Sequence, residues 1–154
     1  MEIIDIKIVP PNDIGLHELI KALDSELLQL YPAQGIFGVD FTNPQVSKMT
    51  FCVAYLKDSI AGCGGLRPLA ENAAELKRFY VRPEFRGRGV ASGILRFLEN
   101  QAKVQGFLSI KLETGPKQPE AIGLYRKFGY TEIEAYGEYI GSIYSYCMGR
   151  TLDS

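Results

Sequence analysis

The chain has 154 residues, 46% hydrophobic and 23% charged, which fits one globular domain with a sizeable core and excludes a disordered chain. Its 17 basic and 18 acidic residues give a formal net charge of -1; that balance argues against a nucleic-acid partner and leaves room for a local basic site that takes one small anion. Three scattered cysteines, Cys52, Cys63 and Cys147, and the single histidine His17 supply no disulfide framework, no zinc-ligand spacing and no Cys-His or Ser-His-Asp set, so no metal is expected.

Ile4, Ile6 and Ile8 alternate with polar neighbours, which predicts a strand over residues 2–9. Pro10 and Pro11 stop it, and Asn12 or Asp13 can cap the helix that follows. This N-terminus lacks a basic stretch followed by a long apolar one, and no apolar run reaches membrane-spanning length. The cytoplasm is the expected location, with no membrane partner. Leu16, Leu19, Ile20, Leu23, Leu27, Leu28 and Tyr31 recur at intervals of three and four, predicting an amphipathic helix up to Tyr31. His17 falls on the polar flank of that stripe.

Residues 32–48, "PAQGIFGVDFTNPQVSK", carry glycine and proline punctuation without a period. They read as a loop with one helical turn, either a flap over a substrate or a plain connector. "MTFCVAYL", the turn "KDS" and "IAGCGGLRPL" form a strand hairpin. Gly62, Gly64 and Gly65 within it indicate a bulge or a close backbone approach, and Cys52 and Cys63 sit in apolar runs as buried thiols. A strand over about 74–82, a helix ending near Gly106, the strand "FLSIKLET" and a helix with Pro119 in its first turn and Gly129 after its end follow. "YTEIEAY" and "SIYSYCMGRTL" are two further strands. The order is β-α-β-β-β-α-β-α-β-β, an α/β fold with a mixed sheet, and residues 1–154 read as a single domain.

The link "RPEFRGRGVA", residues 82–91, joins a strand to a helix. A helix starting near Gly89 leaves its first N–H groups without intrahelical acceptors and carries roughly half a positive charge at that end. Gly87 and Gly89 permit unusual dihedrals and close approach of an anion. On physical grounds alone the link is either a pyrophosphate cradle or a solvated basic loop. It is not a Walker loop, which needs Gly-Lys-Ser/Thr. Nor is it a dinucleotide fingerprint, because Ser92 stands where the third glycine belongs.

Arg86-Gly-Arg-Gly89-Val-Ala91 does match Arg/Gln-x-x-Gly-x-Gly/Ala, and the surrounding "ELKRFYVRPEFRGRGVASGILRFLE" and the downstream "QPEAIGLYRKFGY" stand in the matching order and separation. On these residues the chain resembles the GNAT acyltransferase superfamily over nearly its whole length. "YPAQG", "GGLRPL" and "YGEY" are similar to small bacterial members without a settled substrate.

The resemblance implies the GNAT acyl-CoA N-acyltransferase fold, a mixed, mostly antiparallel sheet of six to seven strands flanked by helices. It implies an enzyme that passes the acetyl group of acetyl-CoA to a primary amine of a small molecule by direct attack in a ternary complex. A peptide N-acetyltransferase and a non-catalytic acyl-CoA-binding module are the alternatives, and a homodimer is left open as the assembly. It places the diphosphate on Arg86, Gly87, Arg88, Gly89, Val90, Ala91 and Ser92. The pantetheine would lie along Phe79, Tyr80 and Val81, with a backbone N–H near Val81 facing the oxyanion. Gln118 stands where the family usually has asparagine, as a contact to a pantetheine amide. Tyr125 has the position of the acid that protonates the departing thiolate. Glu75, eleven residues before Arg86, has that of a general base at a cleft edge; it shares strand parity with Phe79 and Val81 provided no bulge intervenes. Its other reading is a surface carboxylate paired with Lys77 or a neighbouring strand. Acceptor-pocket candidates are Glu26, Tyr31, Arg67, Tyr139 and the 32–40 loop, with Arg67 either pairing an acceptor carboxylate or making a rim salt bridge.

Overall fold

The computed structural model describes residues 3–153; Glu2, where the first strand is expected to begin, lies outside them. The elements are β1 (Ile4–Val9), α1 (Ile14–Leu27), β2 (Thr50–Leu56), β3 (Ser59–Pro68), β4 (Ala73–Val81), α2 (Val90–Val104), β5 (Ser109–Thr114), α3 (Pro119–Lys127), β6 (Thr131–Glu132) and β7 (Tyr146–Thr151). Their order is the one expected from the sequence. The 32–48 connection holds two 3-10 turns, at Ala33–Gly35 and Pro44–Lys48, where one was expected.

The seven strands form one sheet in the order β1-β2-β3-β4-β5-β7-β6. Neighbours are antiparallel except β4 and β5, which the α2 crossover makes parallel. Leu16, Leu19, Ile20 and Leu23 of α1 pack with Phe51, Val53, Cys63 and Tyr80 on one face of the sheet. Val90, Ile94, Leu95, Leu98 and Ala102 of α2 cover the other face, together with Tyr125 of α3. Cys52, Cys63 and Cys147 are free and buried, and burial pushes the Cys52 thiol up to about 12.

Local chemistry sets the element ends. Asp13 caps α1, its carboxylate accepting from the Leu16 N–H at 2.9 Å. His17 Nε2 is 2.6 Å from the Pro11 carbonyl and its ring packs on Phe41, a bracing role for the loop. α1 ends at Leu27 rather than at Tyr31, because Gln29 and Leu30 switch to i→i-3 bonds. The tighter turn carries Tyr31 into the interior. Gly106 and Gly129 close α2 and α3 with φ of 87° and 91°. β6 spans two residues rather than the whole of "YTEIEAY", since the chain leaves the exposed sheet edge and turns Tyr136 and Tyr139 inward onto a buried carboxylate.

The glycines of β3 serve close approach, and the register shifts on both of its ladders. A Cβ on Gly62 would lie 2.6 Å from the Tyr80 carbonyl oxygen and 2.9 Å from Ile94 Cδ1, and one on Gly64 would lie 2.8 Å from Leu98. Gly62→Ala is expected to destabilise the fold by ~1–3 kcal/mol through overpacking against backbone that cannot retreat. Urea unfolding checks this, and an unchanged midpoint would show that the contact relaxes.

Candidate active site

β4 and β5 pair only from Ala73 opposite Ser109 to Leu76 opposite Leu112. Beyond that point they part, and two cavities lie along the opening. On the β3 side of β4, the two-residue step from Gly65 to Cys63 stands opposite the three-residue step from Lys77 to Tyr80. That is a bulge, and Arg78 in it has a φ of 53°, a left-handed conformation uncommon for a side chain of this size. The bulge reverses the alternation of β4. Ala74 and Leu76 before it, and Phe79 and Val81 after it, all face the α2 layer, whereas Tyr80 faces α1. The Arg82 N–H donates to the Ala61 carbonyl of β3. By alternation, the N–H groups of Phe79 and Val81 point away from β3, into the opening.

The larger cavity, about 490 Å³, is lined by Phe79, Tyr80, Val81, Arg86, Gly87, Gly89, Val90, Ala91, Ser92 and Gln118. Every sequence-predicted cofactor residue except Arg88 is therefore on one wall system. Gly87 and Gly89 have φ of 77° and 83°, and Gly89 is the residue before the first turn of α2. A Cβ at Gly87 would meet nothing within 4 Å, so these glycines are required for backbone conformation rather than for space. The N–H groups of Val90, Ala91 and Ser92 open this helix without intrahelical acceptors. That donor set, on a wide and partly apolar cavity, fits a diphosphate followed by a pantetheine chain. The arginines are differently employed. Arg86 donates through Nε to the Val81 carbonyl at 3.0 Å and through one Nη to both oxygens of Glu26, at 3.0 and 2.9 Å. Arg88 lies over the Phe85 ring.

The smaller cavity, about 80 Å³, lies deeper in the opening and shares Leu23, Leu27, Phe79 and Gln118 with the larger one. Tyr125, Glu113, Arg78, Tyr31 and Tyr144 line it, and Gly35, Ile36 and Phe37 of the 32–48 connection complete the wall. Tyr125 is 5% exposed, with its ring 5.8 Å from Phe79 and 5.9 Å from Tyr130. Burial holds its hydroxyl protonated, its pKa raised above the ordinary value, with the Glu113 charge adding to the shift. Tyr31 accepts from the Lys117 N–H at 3.0 Å. Gln118 accepts through Oε1 from the Gly115 N–H at 3.2 Å, which fixes its amide at the junction of the two cavities.

Glu113 was not singled out in the sequence. It is the first residue of β5 beyond the paired segment, and alternation turns it away from its buried neighbours Leu112 and Thr114. Burial pushes its carboxyl up to about 7; the Glu75 and Glu138 charges act the same way, while the Ser145 hydroxyl and Lys77 act against it. The available signal was its place: a carboxylate at the end of the strand that follows the long helix, one step past the last paired residue.

The acceptor candidates do not stay together. Tyr31 lines the small cavity, but Glu26 lines the larger one as the partner of Arg86. Arg67 lines neither; it lies by the Pro44–Lys48 turn. Glu75 departs furthest from expectation. Because the bulge intervenes, it is on the opposite face from Phe79 and Val81, fully buried rather than at a cleft edge. Its Oε1 accepts two bonds from Arg67, the Nε one at 3.0 Å, and its Oε2 accepts from Tyr136 at 2.8 Å and from Tyr139 at 2.6 Å. Lys77 donates in turn to the Tyr139 hydroxyl at 2.9 Å and to the Phe37 carbonyl at 3.2 Å, and burial lowers its pKa. A carboxylate surrounded by four donated bonds is a structural anchor that ties β3, β4, the 136–139 turn and the 32–48 connection together. Glu75→Ala is therefore expected to cost ~1–3 kcal/mol, because it leaves the buried Tyr139 hydroxyl and the half-buried Tyr136 without their acceptor and Arg67 with Glu138 alone. A loss below about 1 kcal/mol in denaturant unfolding would show the cluster to be dispensable.

Comparison with known proteins agrees with this geometry. The sequence profile of the Acetyltransferase (GNAT) family matches residues 20–130. An IAA acetyltransferase of Azospirillum brasilense is 33% identical over 130 residues, spanning 84% of this chain and 85% of the relative. An uncharacterised N-acetyltransferase of Escherichia coli, YedL, is 29% identical over 130 residues, 83% of this chain and 82% of its own length. Among solved structures, a Klebsiella pneumoniae protein assigned as an acyl-CoA N-acyltransferase superposes with a TM-score of 0.83 at 27% identity, covering 98% of this chain and 99% of its own. The PaiA N-acetyltransferase of Thermoplasma acidophilum, solved with coenzyme A, shares the fold at a TM-score of 0.70 and 20% identity, over 97% of this chain and 99% of its own. With its parted central strands and glycine-shaped helix start, the chain belongs to the GNAT family and is an acetyl-CoA-dependent acyltransferase.

Proposed function

We propose that residues 1–154 are one N-acetyltransferase domain that transfers the acetyl group of acetyl-CoA to the primary amine of a small molecule, by direct attack within a ternary complex. The observation that carries this reading is the juxtaposition of Glu113 and Tyr125 in one small cavity, which meets the larger cavity at Phe79 and Gln118. The amides opening α2 hold the diphosphate. The pantetheine follows the outward N–H groups of β4, with Gln118 beside it. Glu113, rather than Glu75, accepts the proton that frees the amine lone pair. A carboxyl with a pKa near neutrality is matched to that task, whereas Glu75 has every lone-pair direction occupied.

The amine nitrogen then bonds to the acetyl carbon, with the Val81 or Phe79 N–H facing the oxygen on which charge develops. The carbon–sulfur bond breaks, Tyr125 supplies a proton to the departing thiolate, and the second proton that the nitrogen sheds in becoming an amide restores the phenol. A small acceptor is favoured over a peptide because Gly35, Ile36 and Phe37 wall the cavity, and the Phe37 carbonyl is tied to Lys77.

Thiol release from acetyl-CoA across a panel of small amines and peptides tests the assignment, and binding without turnover on any acceptor would reduce the protein to an acyl-CoA-binding module. Glu113 must be ionised to act, so kcat/KM should fall as pH drops through about 7. Glu113→Gln is expected to lower kcat by about 10²-fold or more and to remove that acid limb; a limb that persists in the variant belongs to another group. Tyr125→Phe should lower kcat at every pH with little effect on the KM for acetyl-CoA, and unchanged turnover would remove Tyr125 as the acid.

A further inference from the structure

Arg78 is the feature of the site that the reaction above leaves unused. Its side chain is 3% exposed and one Nη lies 2.6 Å from Asp24 of α1, which is itself 45% exposed. The Arg78 Nε–H is buried without any hydrogen-bond acceptor. A guanidinium is permanently charged and presents five donors in a rigid fork, and a buried one with an idle donor is costly unless something supplies the missing acceptor. The bulge places this residue at a strained φ of 53°, a cost that recurs at functional positions. Among the described residues, Arg78 and Glu113 are the only charged side chains on the wall of the small cavity. One wall therefore offers a cation, and another the group that takes a proton from an ammonium.

We propose that the acceptor is a small amino acid, its carboxylate held by the Arg78 fork and its amine presented to Glu113. This inference rests on the N-acetyltransferase reading and names its substrate class. The cavity, about 80 Å³, has room for a compact molecule. The flanking Leu23, Leu27 and Ile36 lower the local dielectric, which strengthens a carboxylate–guanidinium pair. Arg67, the other arginine considered for a carboxylate, is held by Glu75 and Glu138. Asp24 is a positioning residue: it takes one Nη while the other lies against Gly38, and the Nε–H is the donor left for the ligand.

Matched series of free amino acids, their carboxamides and the corresponding decarboxylated amines, assayed by coenzyme A release with the unaltered protein, test the proposal without any variant. The acid should exceed its amide and its decarboxylated amine in kcat/KM by at least about 10²-fold, because a site built for a charged partner rejects the analogue that lacks it. Arg78→Gln should abolish that ratio chiefly through KM for the acid, with turnover of the decarboxylated amine changed only a few-fold. Asp24→Asn should raise KM for the acid and leave kcat near the unaltered value. Equal turnover of acid, amide and amine by the unaltered protein overturns the amino acid assignment and leaves the acetyltransferase reading standing. An Arg78→Gln variant that loses acid and amine turnover in equal proportion overturns the role of Arg78. Absence of coenzyme A release with every amine overturns both readings together.

Discussion

The site depends on the parting of two parallel strands, and the bulge at Arg78 marks where it begins. A regular β4 would continue its ladder with β5 and put residues 74, 76, 78 and 80 on one face. Instead pairing ends at Leu76 and Leu112, and the extra residue at 78 returns Phe79 and Val81 to the α2 face occupied by Ala74 and Leu76. Backbone strain at a left-handed arginine is of order 1–3 kcal/mol. It is held in place by the ladder to β3 and by the two packed layers on either side. Without the bulge, the N–H groups of Phe79 and Val81 would not both face the opening, and the two cavities would lose their common wall.

Two carboxylates that are neighbours on one face of the sheet have contrasting surroundings. Glu75 and Lys111 stand opposite one another in the paired segment, and Glu113 follows two residues later on β5. Glu75 is surrounded by an arginine, two phenols and a lysine-linked network, which leave it no free lone pair. Glu113 has a different environment, dominated by loss of solvent, which outweighs the help of Ser145 and Lys77, with a smaller push in the same direction from the Glu75 and Glu138 charges. Acid-base chemistry on a protein commonly assigns one carboxylate to structure and another to proton transfer through such contrasts. The Glu75 charge contributes to raising Glu113, so the anchor also tunes its neighbour through space.

Much of this was legible in the sequence. Apolar period three to four marked α1, proline and glycine punctuation marked the ends of α2 and α3, and alternation marked β1. The spacing Arg86, Gly89, Ala91 located the helix start that lines the larger cavity, because a tight turn with two left-handed glycines leaves a strong local imprint. What escaped depends on contacts distant in the chain. No local pattern announces a bulge at Arg78, since Leu-Lys-Arg-Phe suits a strand as well as its neighbours do; the parity of Glu75 was lost with it. Glu113 was overlooked because a carboxylate ending a strand is ordinary on a surface. Only the separation of β4 from β5 and the cover of the 32–48 connection give it its environment. Tyr139 was expected to face an acceptor and instead serves Glu75, for the same reason: the 136–139 turn folds across the sheet edge in place of a continued strand.

The arginines of the glycine-rich link illustrate how composition and geometry divide the work of anion binding. Three of them fall within residues 82–91, yet Arg82 pairs with Glu18, Arg86 with Glu26 and the Val81 carbonyl, and Arg88 lies over Phe85. Their charge is partly neutralised and directed along the link, where it braces the turn against α1. Beside Arg86, the larger cavity is met by the backbone amides at the start of α2. These carry only partial charge, but their positions are fixed by the helix and by two glycines, so they need no reorganisation to receive an anion. A cluster of mobile side chains would bind anions more strongly and less selectively. In the proposed reading, that fixed row of amides is what receives the cofactor diphosphate, with Arg86 bracing the turn beside it.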